Sequence, residues 1–474
     1  MAGILSYGAY VPPTRLGFAT LAGKPARPDA QGPERAVAWA DEDSVTMGVA
    51  AAASCLRGFD RASVDALFFA STTHPFLEKQ TAALVAKVLD LRRDVATADH
   101  AGSLRAGTSA LRAAADAVAA GSARRVLVIA SDCRPGAPGS ALEQGFGDGA
   151  AAFLIGDADE IAGFEAWHAV ADEIVDVWRS QQDAFVHSWE DRFVVQEGFH
   201  PNLVEAVRGL LAKLADAPPA PMRAALYAPD ARSHAGVARA LRLSAEQLED
   251  PLFGRLGNAG AAFAPLLLAA ALEQARPGER LIVASYGDGA EAISLRVTGQ
   301  IEKLEPRRGV AWHLARRRPV RSYEQYLRAR GFGEREYEPP RDAGLSATIH
   351  FRDRDADLSF KGQRCRGCGK VQFPLQRVCE TCFRKDDFEL VRLSDHTGRV
   401  VTYTFDFFFP TPEPPTIVTI TEVEGARIHL QLVNAKPEQA RPGLPVELVF
   451  RRIHQVGGRP NYYWKATPVP EGDA

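Results

Sequence analysis

The chain has 474 residues, of which 46% are hydrophobic and 24% are charged, and its formal net charge is −3. This length exceeds one ordinary domain and predicts two or three, while the near-neutral charge gives no electrostatic basis for nucleic acid or an anionic membrane as partner. No basic segment followed by an apolar run opens the chain, and the most apolar helix candidate, 261–272, is too short to span a bilayer. We therefore expect a cytoplasmic protein.

Residues 1–300 alternate short β-rich runs with Ala- and Leu-rich helical stretches, which is the pattern of an α/β fold. The pattern predicts strands at 65–72, 124–132, 150–156, 223–229, 280–287 and 290–297, and helices that include 106–120 and 259–275. We divide residues 1–330 into two halves, 1–160 and 161–330.

A turn of small residues lies within 97–114, between the end of a predicted strand and an Ala-rich helix. Ser103 and Leu104 stand at the tip of this elbow. The N-terminus of a helix offers free N–H groups and the positive end of the helix dipole. The elbow is therefore a candidate active site, with the N–H groups of Ser103–Arg105 as donors to an oxyanion.

An internal repeat relates the two halves. The segment FGDGAAAFLIG (146–156) is echoed by YGDGAEAISLRV (286–297). Upstream, 104–131 and 257–285 share the order elbow, Ala-rich helix, basic residue and apolar strand ending in Ala-Ser. The matched order predicts a duplicated unit, in which LGNAG (256–260) is the pseudo-twofold mate of the elbow.

The segment 300–345 is rich in Arg, Pro and Gly. It predicts a short amphipathic helix within 322–332 and a linker at 331–347. Its arginine cluster is typical of a solvated or interface surface, and contact with a phosphorylated ligand such as coenzyme A is the alternative.

Four of the six cysteines fall within eighteen residues, in the spacing Cys-x2-Cys-x10-Cys-x2-Cys: Cys365, Cys368, Cys379 and Cys382. Two such knuckles give tetrahedral thiolate coordination of Zn²⁺, with two disulfides or a redox pair as the alternatives. Charged knuckles and a cytoplasmic setting favour zinc. Because protein fills all four ligand positions, we expect a structural zinc ribbon, at 348–390.

The last region, 391–474, contains five short β-rich runs, which predict a small barrel of the OB-fold type. Such a barrel beside a zinc ribbon can bind single-stranded nucleic acid, but the acidic, Pro-rich segment 411–425 and the lack of a basic stripe argue against it. The aromatic and Pro-rich run 405–415 is typical of a hydrophobic docking edge, with a loop over a substrate entrance as the alternative.

Together these pieces resemble the thiolase superfamily, and within it the archaeal-type 3-hydroxy-3-methylglutaryl-CoA synthases. The resemblance rests on GILSYGAYVPPTRL (3–16), STTHPFLEKQTAALVAKVL (71–89), LRAGTSAL (104–111), LEQGFGDGAAAFLIG (142–156), DVWR (176–179), YAPD (227–230) and LGNAGAAFAPLLLAA (256–270). The C-terminal part resembles the zinc-ribbon and OB-fold module that accompanies such enzymes, usually as a separate subunit. The resemblance implies a duplicated five-layered αβαβα thiolase fold, an acyl-CoA substrate and a homodimer, with another acyl-CoA enzyme as an alternative partner.

The chain departs from the family at its catalytic positions. The family pattern has Glu, Cys and His, and the matching positions here are Thr72, Leu104 and Tyr227, while the family Asn is kept as Asn258. Leu104 cannot carry an acyl group. The resemblance therefore implies carbon–carbon bond chemistry on a coenzyme A ester without a cysteine nucleophile, such as the retro-aldol cleavage of a β-hydroxyacyl-CoA that some thiolase-like relatives carry out with tyrosines.

Retro-aldol cleavage needs a base for the β-hydroxyl and donors for the departing enolate. We expect Tyr227 to act as acid or base, with packing in the space left by the family His as the alternative. A role as base requires its ordinary pKa of about 10 to fall. Asn258 and the elbow N–H groups supply the oxyanion site. His74, His100 and Asp99 are further titratable groups, and for each of them the sequence favours a structural role over a catalytic one.

The predicted substrate-binding residues are Arg105, Gly107, Gly287 and Gly289. Two alternatives remain open from the sequence: an acyltransferase that uses Ser103 as nucleophile, and a non-catalytic protein that binds coenzyme A esters or scaffolds another enzyme.

Overall fold

The computed structural model describes residues 2–24, 32–332, 346–409, 411–456 and 459–470. The chain forms two compact units, one of Met1–Trp39 with Asp43–Leu327 and the other of Ala40–Glu42 with Arg328–Ala474. Most of the predicted linker, 331–347, lies outside the described residues. Within the described ranges, no helix has the length and apolar character needed to cross a membrane.

The first unit contains most of the regular structure. Its strands are β1 (Gly3–Tyr10), β2 (Thr14–Gly17), β3 (Glu34–Ala36), β4 (Ala66–Ala70), β5 (Ala96–His100), β6 (Val126–Asp132), β7 (Gly149–Gly156), β8 (Ala162–Ala171), β9 (Val177–Trp178), β10 (His187–Ser188), β11 (Met222–Leu226), β12 (Arg280–Tyr286), β13 (Gly289–Val297) and β14 (Arg318–Pro319). Its helices are α1 (Phe18–Leu21), α2 (Ser44–Cys55), α3 (Thr81–Val88), α4 (Ala106–Ala119), α5 (Ala141–Gly145), α6 (Asp191–Phe193), α7 (His200–Lys213), α8 (Ala231–Leu241), α9 (Phe263–Glu273) and α10 (Val310–Ala315), with α11 (Tyr323–Arg330) at its end.

Nine strands form one continuous hydrogen-bonded sheet in the order β11-β12-β13-β8-β1-β7-β6-β4-β5. In the first half, β4 is parallel to β6, and β6, β7 and β1 then pair antiparallel in turn. In the second half, β11 is parallel to β12, and β12, β13 and β8 repeat the antiparallel pattern. The halves join where β1 pairs with β8 at Gly3 and Ile4. The matching order confirms the predicted duplication.

The two Ala-rich helices pack against each other at the centre of this unit. Every residue from Phe263 to Leu272 of α9 is buried, which explains why that helix is apolar all round. A Cβ added to Gly107 in α4 would lie 2.4 Å from the carbonyl oxygen of Ala261, so only glycine permits the approach. The contact brings the elbow of the first half next to its counterpart in the second.

The second unit contains the ribbon and the barrel. Its elements are α12 (Ala347–Asp357), β15 (Lys361–Cys365), β16 (Val371–Gln372), β17 (Phe388–Arg392), β18 (Gly398–Asp406), β19 (Thr416–Val423), β20 (Ala426–Leu432), β21 (Pro445–Val456) and β22 (Arg459–Pro468). The last five strands close into a barrel in the order β18-β19-β20-β22-β21, which confirms the predicted five-stranded barrel. Helix α12 was not predicted, because its highly charged residues show no apolar stripe.

Candidate functional site

The predicted elbow lies between β5 and α4. The Ser103 hydroxyl donates to the carbonyl oxygen of Gly287 at 3.1 Å. In the described part of the chain, the backbone N–H of Leu104 has no hydrogen-bond partner, and the Leu104 side chain packs against the core. The elbow therefore keeps a free backbone donor, while its hydroxyl is engaged.

Each repeated turn packs against a loop of the other half. A Cβ on Gly287 would lie 2.9 Å from the Leu104 nitrogen, and one on Gly147 would lie 1.9 Å from the Leu256 oxygen. The Gly147 N–H also donates to the Asn258 carbonyl at 3.0 Å. These approaches require glycine. With the Gly107–Ala261 approach, they bring the elbow at 101–105 next to its counterpart at 256–260, and we call this region the junction.

The predicted binding residues around the elbow make packing and backbone contacts. The Arg105 guanidinium donates to the Val170 carbonyl at 3.1 Å. Gly289 has a φ of +97°, and a Cβ there would lie 2.1 Å from the same carbonyl oxygen. These contacts, with those of Gly107 and Gly287, hold the elbow in shape; binding of substrate by the four residues stays a prediction.

Tyr227 and Asn258 meet at this junction. The Asn258 Nδ2 donates to the Tyr227 hydroxyl at 3.0 Å and to the Ala228 carbonyl at 3.2 Å, and its Oδ1 accepts from the Gly260 N–H. The Tyr227 side chain is buried. Burial raises the pKa of Tyr227 above its ordinary value, against the opposing effects of the Arg134 charge and the Asn258 hydrogen bond.

A second tyrosine, absent from our predictions, stands beside the first. The rings of Tyr286 and Tyr227 have centroids 6.3 Å apart. The Tyr286 hydroxyl donates to Asp176 Oδ2 at 2.5 Å, and burial together with this hydrogen bond raises the pKa of Tyr286. Tyr286 opens the second repeated turn and Asp176 opens the DVWR motif. The aromatic residue shared by both turns was the sequence signal for Tyr286.

Asp132, at the end of β6, connects the loops around the site. It is fully buried. Its carboxylate accepts five hydrogen bonds, from Ser71 Oγ, the Thr72 N–H, Thr72 Oγ1, Thr73 Oγ1 and the Ala261 N–H. Thr72 occupies the position of the family Glu, and its hydroxyl is therefore bound to the Asp132 carboxylate.

The two predicted histidines lie in a neighbouring cluster. The His74 ring bonds to Thr81 Oγ1 at 2.9 Å and to the His100 carbonyl at 3.3 Å, while Asp99 accepts the N–H groups of Thr81 and Ala82 at the start of α3. Burial lowers the pKa of His100, against the charge of Asp99. Within the described ranges neither ring bonds to Tyr227, so a catalytic role for His74 or His100 stays a prediction.

The four clustered cysteines of the second unit come together. All four Sγ atoms lie within 4.8 Å of one another, and the Cys365–Cys382 and Cys368–Cys379 pairs are both 3.6 Å apart. A disulfide requires about 2.05 Å. Tetrahedral Zn²⁺ with Zn–S bonds of about 2.3 Å holds its sulfurs about 3.8 Å apart, so the donor set fits zinc.

Comparisons with known proteins agree with both units. Residues 352–389 match the ChsH2 rubredoxin-like zinc ribbon domain family. The chain is 32% identical to the hydroxymethylglutaryl-CoA synthase of Archaeoglobus fulgidus over 341 residues, which are 70% of this chain and 98% of the relative. It is 33% identical to the hydroxymethylglutaryl-CoA synthase of Aeropyrum pernix over 341 residues, 70% of this chain and 94% of that protein.

Solved structures share the fold. MvaS in complex with 3-hydroxy-3-methylglutaryl coenzyme A superposes with a TM-score of 0.59 at 22% identity, covering 73% of this chain and 94% of MvaS. FabH, the 3-oxoacyl-(acyl carrier protein) synthase III of Pseudomonas aeruginosa PAO1, superposes with a TM-score of 0.56 at 23% identity, covering 63% and 98%. The resemblance seen in the sequence is confirmed: the chain belongs to the hydroxymethylglutaryl-CoA synthase family of thiolase-like proteins and carries a zinc ribbon domain.

Proposed function

We propose that this protein makes or breaks a carbon–carbon bond in a β-hydroxyacyl-CoA, by retro-aldol or aldol chemistry without a covalent acyl-enzyme. The observation that carries the proposal is the pair of buried tyrosines at the junction, one bonded to Asn258 and the other to Asp176. The substrate class is supported by the relative MvaS, whose structure holds 3-hydroxy-3-methylglutaryl coenzyme A, a compound with a hydroxyl β to its thioester.

Tyr227 is suited to the acid step. Because burial raises its pKa, the phenol is protonated at neutral pH and cannot begin the reaction as a base. It gives its proton to the α-carbon of the thioester enolate after the carbon–carbon bond has broken. Its role in the cleavage direction is therefore general acid.

Asp176 and Tyr286 supply the base. The substrate β-hydroxyl gives its proton to the Tyr286 oxygen while the Tyr286 proton moves to Asp176, along the hydrogen bond of 2.5 Å already present. The alkoxide electrons form the carbonyl of the released product, and the carbon–carbon bond electrons form the enolate. One proton is taken up and one is delivered, so the reaction needs no redox partner.

The elbow supports this scheme. The Leu104 N–H, which has no partner among the described residues, is a donor for the enolate oxygen, at a position where the side chain has no nucleophile. The Ser103 hydroxyl donates to the Gly287 carbonyl, and no described base bonds to it. The acyltransferase alternative through Ser103 is therefore less well supported.

The test is to incubate the protein with a panel of branched 3-hydroxyacyl-CoA esters and identify the products by mass spectrometry. We expect a shorter acyl-CoA and a carbonyl compound. Tyr227→Phe should lower kcat by about 10²- to 10⁴-fold, the usual contribution of general acid catalysis. The matched control is Tyr7→Phe, because Tyr7 is another buried tyrosine whose burial raises its pKa to about 12.

Three outcomes distinguish this proposal from its alternatives. Full activity of Tyr227→Phe removes Tyr227 from the mechanism. Tight binding of the esters without turnover favours the non-catalytic alternative. An acyl adduct on Ser103 in the intact mass favours the acyltransferase.

The remaining proposals concern assembly and metal. We propose that Cys365, Cys368, Cys379 and Cys382 hold a structural Zn²⁺, because protein supplies four thiolates in tetrahedral spacing. We also propose a homodimer, as the family resemblance implies. Coenzyme A enters as part of the substrate.

A further inference from the structure

Arg134 is a buried arginine that packs against an aromatic ring. It is 5% exposed, and its guanidinium carbon lies 4.2 Å from the centroid of the Phe146 ring. Among the residues that the structure describes, the Arg134 side chain has no hydrogen bond and no carboxylate within ion-pair distance. By contrast, Arg280, which is also buried, forms an ion pair with Glu165 at 2.7 Å. A buried charge is costly unless an opposite charge compensates it, so Arg134 marks a place where negative charge forms or binds.

The place is next to the proposed acid. A Cβ added to Gly260 would lie 2.6 Å from Arg134 Cδ, so the arginine stem packs on this glycine. The Gly260 N–H bonds to Asn258, and Asn258 bonds to the Tyr227 hydroxyl. The positive charge of Arg134 also acts on Tyr227 and favours its ionised form.

The nearby carboxylates are already occupied. Asp132 uses both oxygens for five donors from two loops. Asp176 accepts the Tyr286 hydroxyl and the Val177 N–H, each at 2.5 Å. Neither carboxylate forms an ion pair with Arg134. The guanidinium is therefore able to stabilise a negative charge that forms only during the reaction.

We propose that Arg134 acts through Tyr227, by holding the negative charge that remains on the phenol oxygen once its proton has left. The proposal rests on the proposed function for the moment at which this happens. As the C–H bond forms at the α-carbon of the enolate, the O–H bond of Tyr227 breaks and its electron pair stays on the oxygen, near Arg134. The Tyr286–Asp176 pair then returns the proton that it took from the substrate.

The test measures the acidity of the phenol directly, in the full-length protein without substrate. A fluorinated tyrosine, whose phenol is more acidic than that of tyrosine, is placed at position 227 by codon suppression and titrated by ¹⁹F NMR. Loss of the charge in Arg134→Met should raise the apparent pKa of this phenol by about 1 to 3 units, a 10- to 1000-fold weaker acid. Arg134→Lys, which keeps a charge, should shift it less.

Controls separate electrostatics from damage to the fold. The same fluorinated residue at position 7 should titrate alike with and without Arg134→Met. If the methionine variant does not fold, Arg134→Gln replaces it in the same comparison. A shift below about half a unit at position 227, or an equal shift at position 7, overturns the proposal.

The experiment also separates this proposal from the proposed function. Because the titration is made on the resting protein, it succeeds or fails whether or not a coenzyme A ester is turned over. An unmoved phenol, together with weaker binding only of esters whose acyl chain carries a carboxylate, would make Arg134 a substrate ligand and would also overturn the proposal.

Discussion

Replacing Asp132 by Asn tests whether one buried carboxylate holds the site together. Asp132 Oδ1 accepts the Thr72 N–H at 3.0 Å, and Oδ2 accepts the Ala261 N–H at 2.8 Å. Hydroxyl donors to the carboxylate can rotate and accept instead, whereas a backbone N–H cannot. Whichever way the Asn amide is turned, its NH₂ therefore faces a buried backbone donor.

The expected loss of stability follows from this geometry. One unsatisfied buried donor costs about 1–3 kcal/mol, and the remaining hydrogen bonds lose the strength that a charged acceptor gives them. We expect Asp132→Asn to destabilise the first unit by about 3–5 kcal/mol in total, in the range found when a buried charged interaction is broken. At about 2–4 °C per kcal/mol, its melting temperature should fall by roughly 6–20 °C.

The assay is differential scanning calorimetry of the whole protein, in which the transition of the first unit is the one that a zinc chelator leaves in place. Ser71→Ala is the control, because it removes one of the five donors without creating a donor facing a donor. That variant should cost about 1 kcal/mol. A fall of less than about 3 °C for Asp132→Asn, or equal falls for both variants, would refute the reasoning.

Two further predictions concern charge and metal. Arg280, Ser294 and Arg296 bond to Glu165 and, against its burial, lower its pKa to about 2. The ionised form is thus favoured in the fold, and the stability it contributes is present above its unfolded pKa of 4.5 and is lost as the pH falls towards about 2. Glu165→Gln should therefore cost about 1 kcal/mol of stability at pH 7, after allowance for solvent screening. The urea midpoints of the wild type and the variant should converge as the pH falls from 4.5 towards about 2. A difference that persists near pH 2 contradicts the linkage. Cys368→Ser should remove about one zinc per chain by elemental analysis and lower only the melting transition of the second unit, whereas an unchanged zinc content would exclude Cys368 as a ligand.

Much of the fold follows from patterns within short windows of sequence. The repeated aromatic-Gly-Asp-Gly-Ala turn and the Ala-rich helices predicted the duplication that the sheet order shows. The alternation of buried residues in β20, at Ala426, Ile428, Leu430 and Leu432, is the period-2 signal that predicted a barrel strand. Such signals are readable because each depends only on residues close in the chain.

The candidate site was harder to predict. Tyr227 and Asn258 stand in motifs that a family resemblance can align, but Tyr286 lies 110 positions from its partner Asp176. Arg134 follows a predicted strand with no pattern that marks it, and its burial is visible only in three dimensions. Side chains meet across such separations through close backbone approaches, and a sequence pattern does not specify these.

The sequence by itself determined the architecture: a duplicated α/β unit, a four-cysteine ribbon, a barrel, and an elbow with Leu104 where a nucleophile would stand. These features depend on local periodicity, on ligand spacing and on the identity of single residues. Only the tertiary structure decided that two tyrosines, a carboxylate and a buried guanidinium share one junction. The reason is physical: glycines at 147 and 287 let the turn of each half pack against the loop of the other, and that packing determines which distant side chains meet.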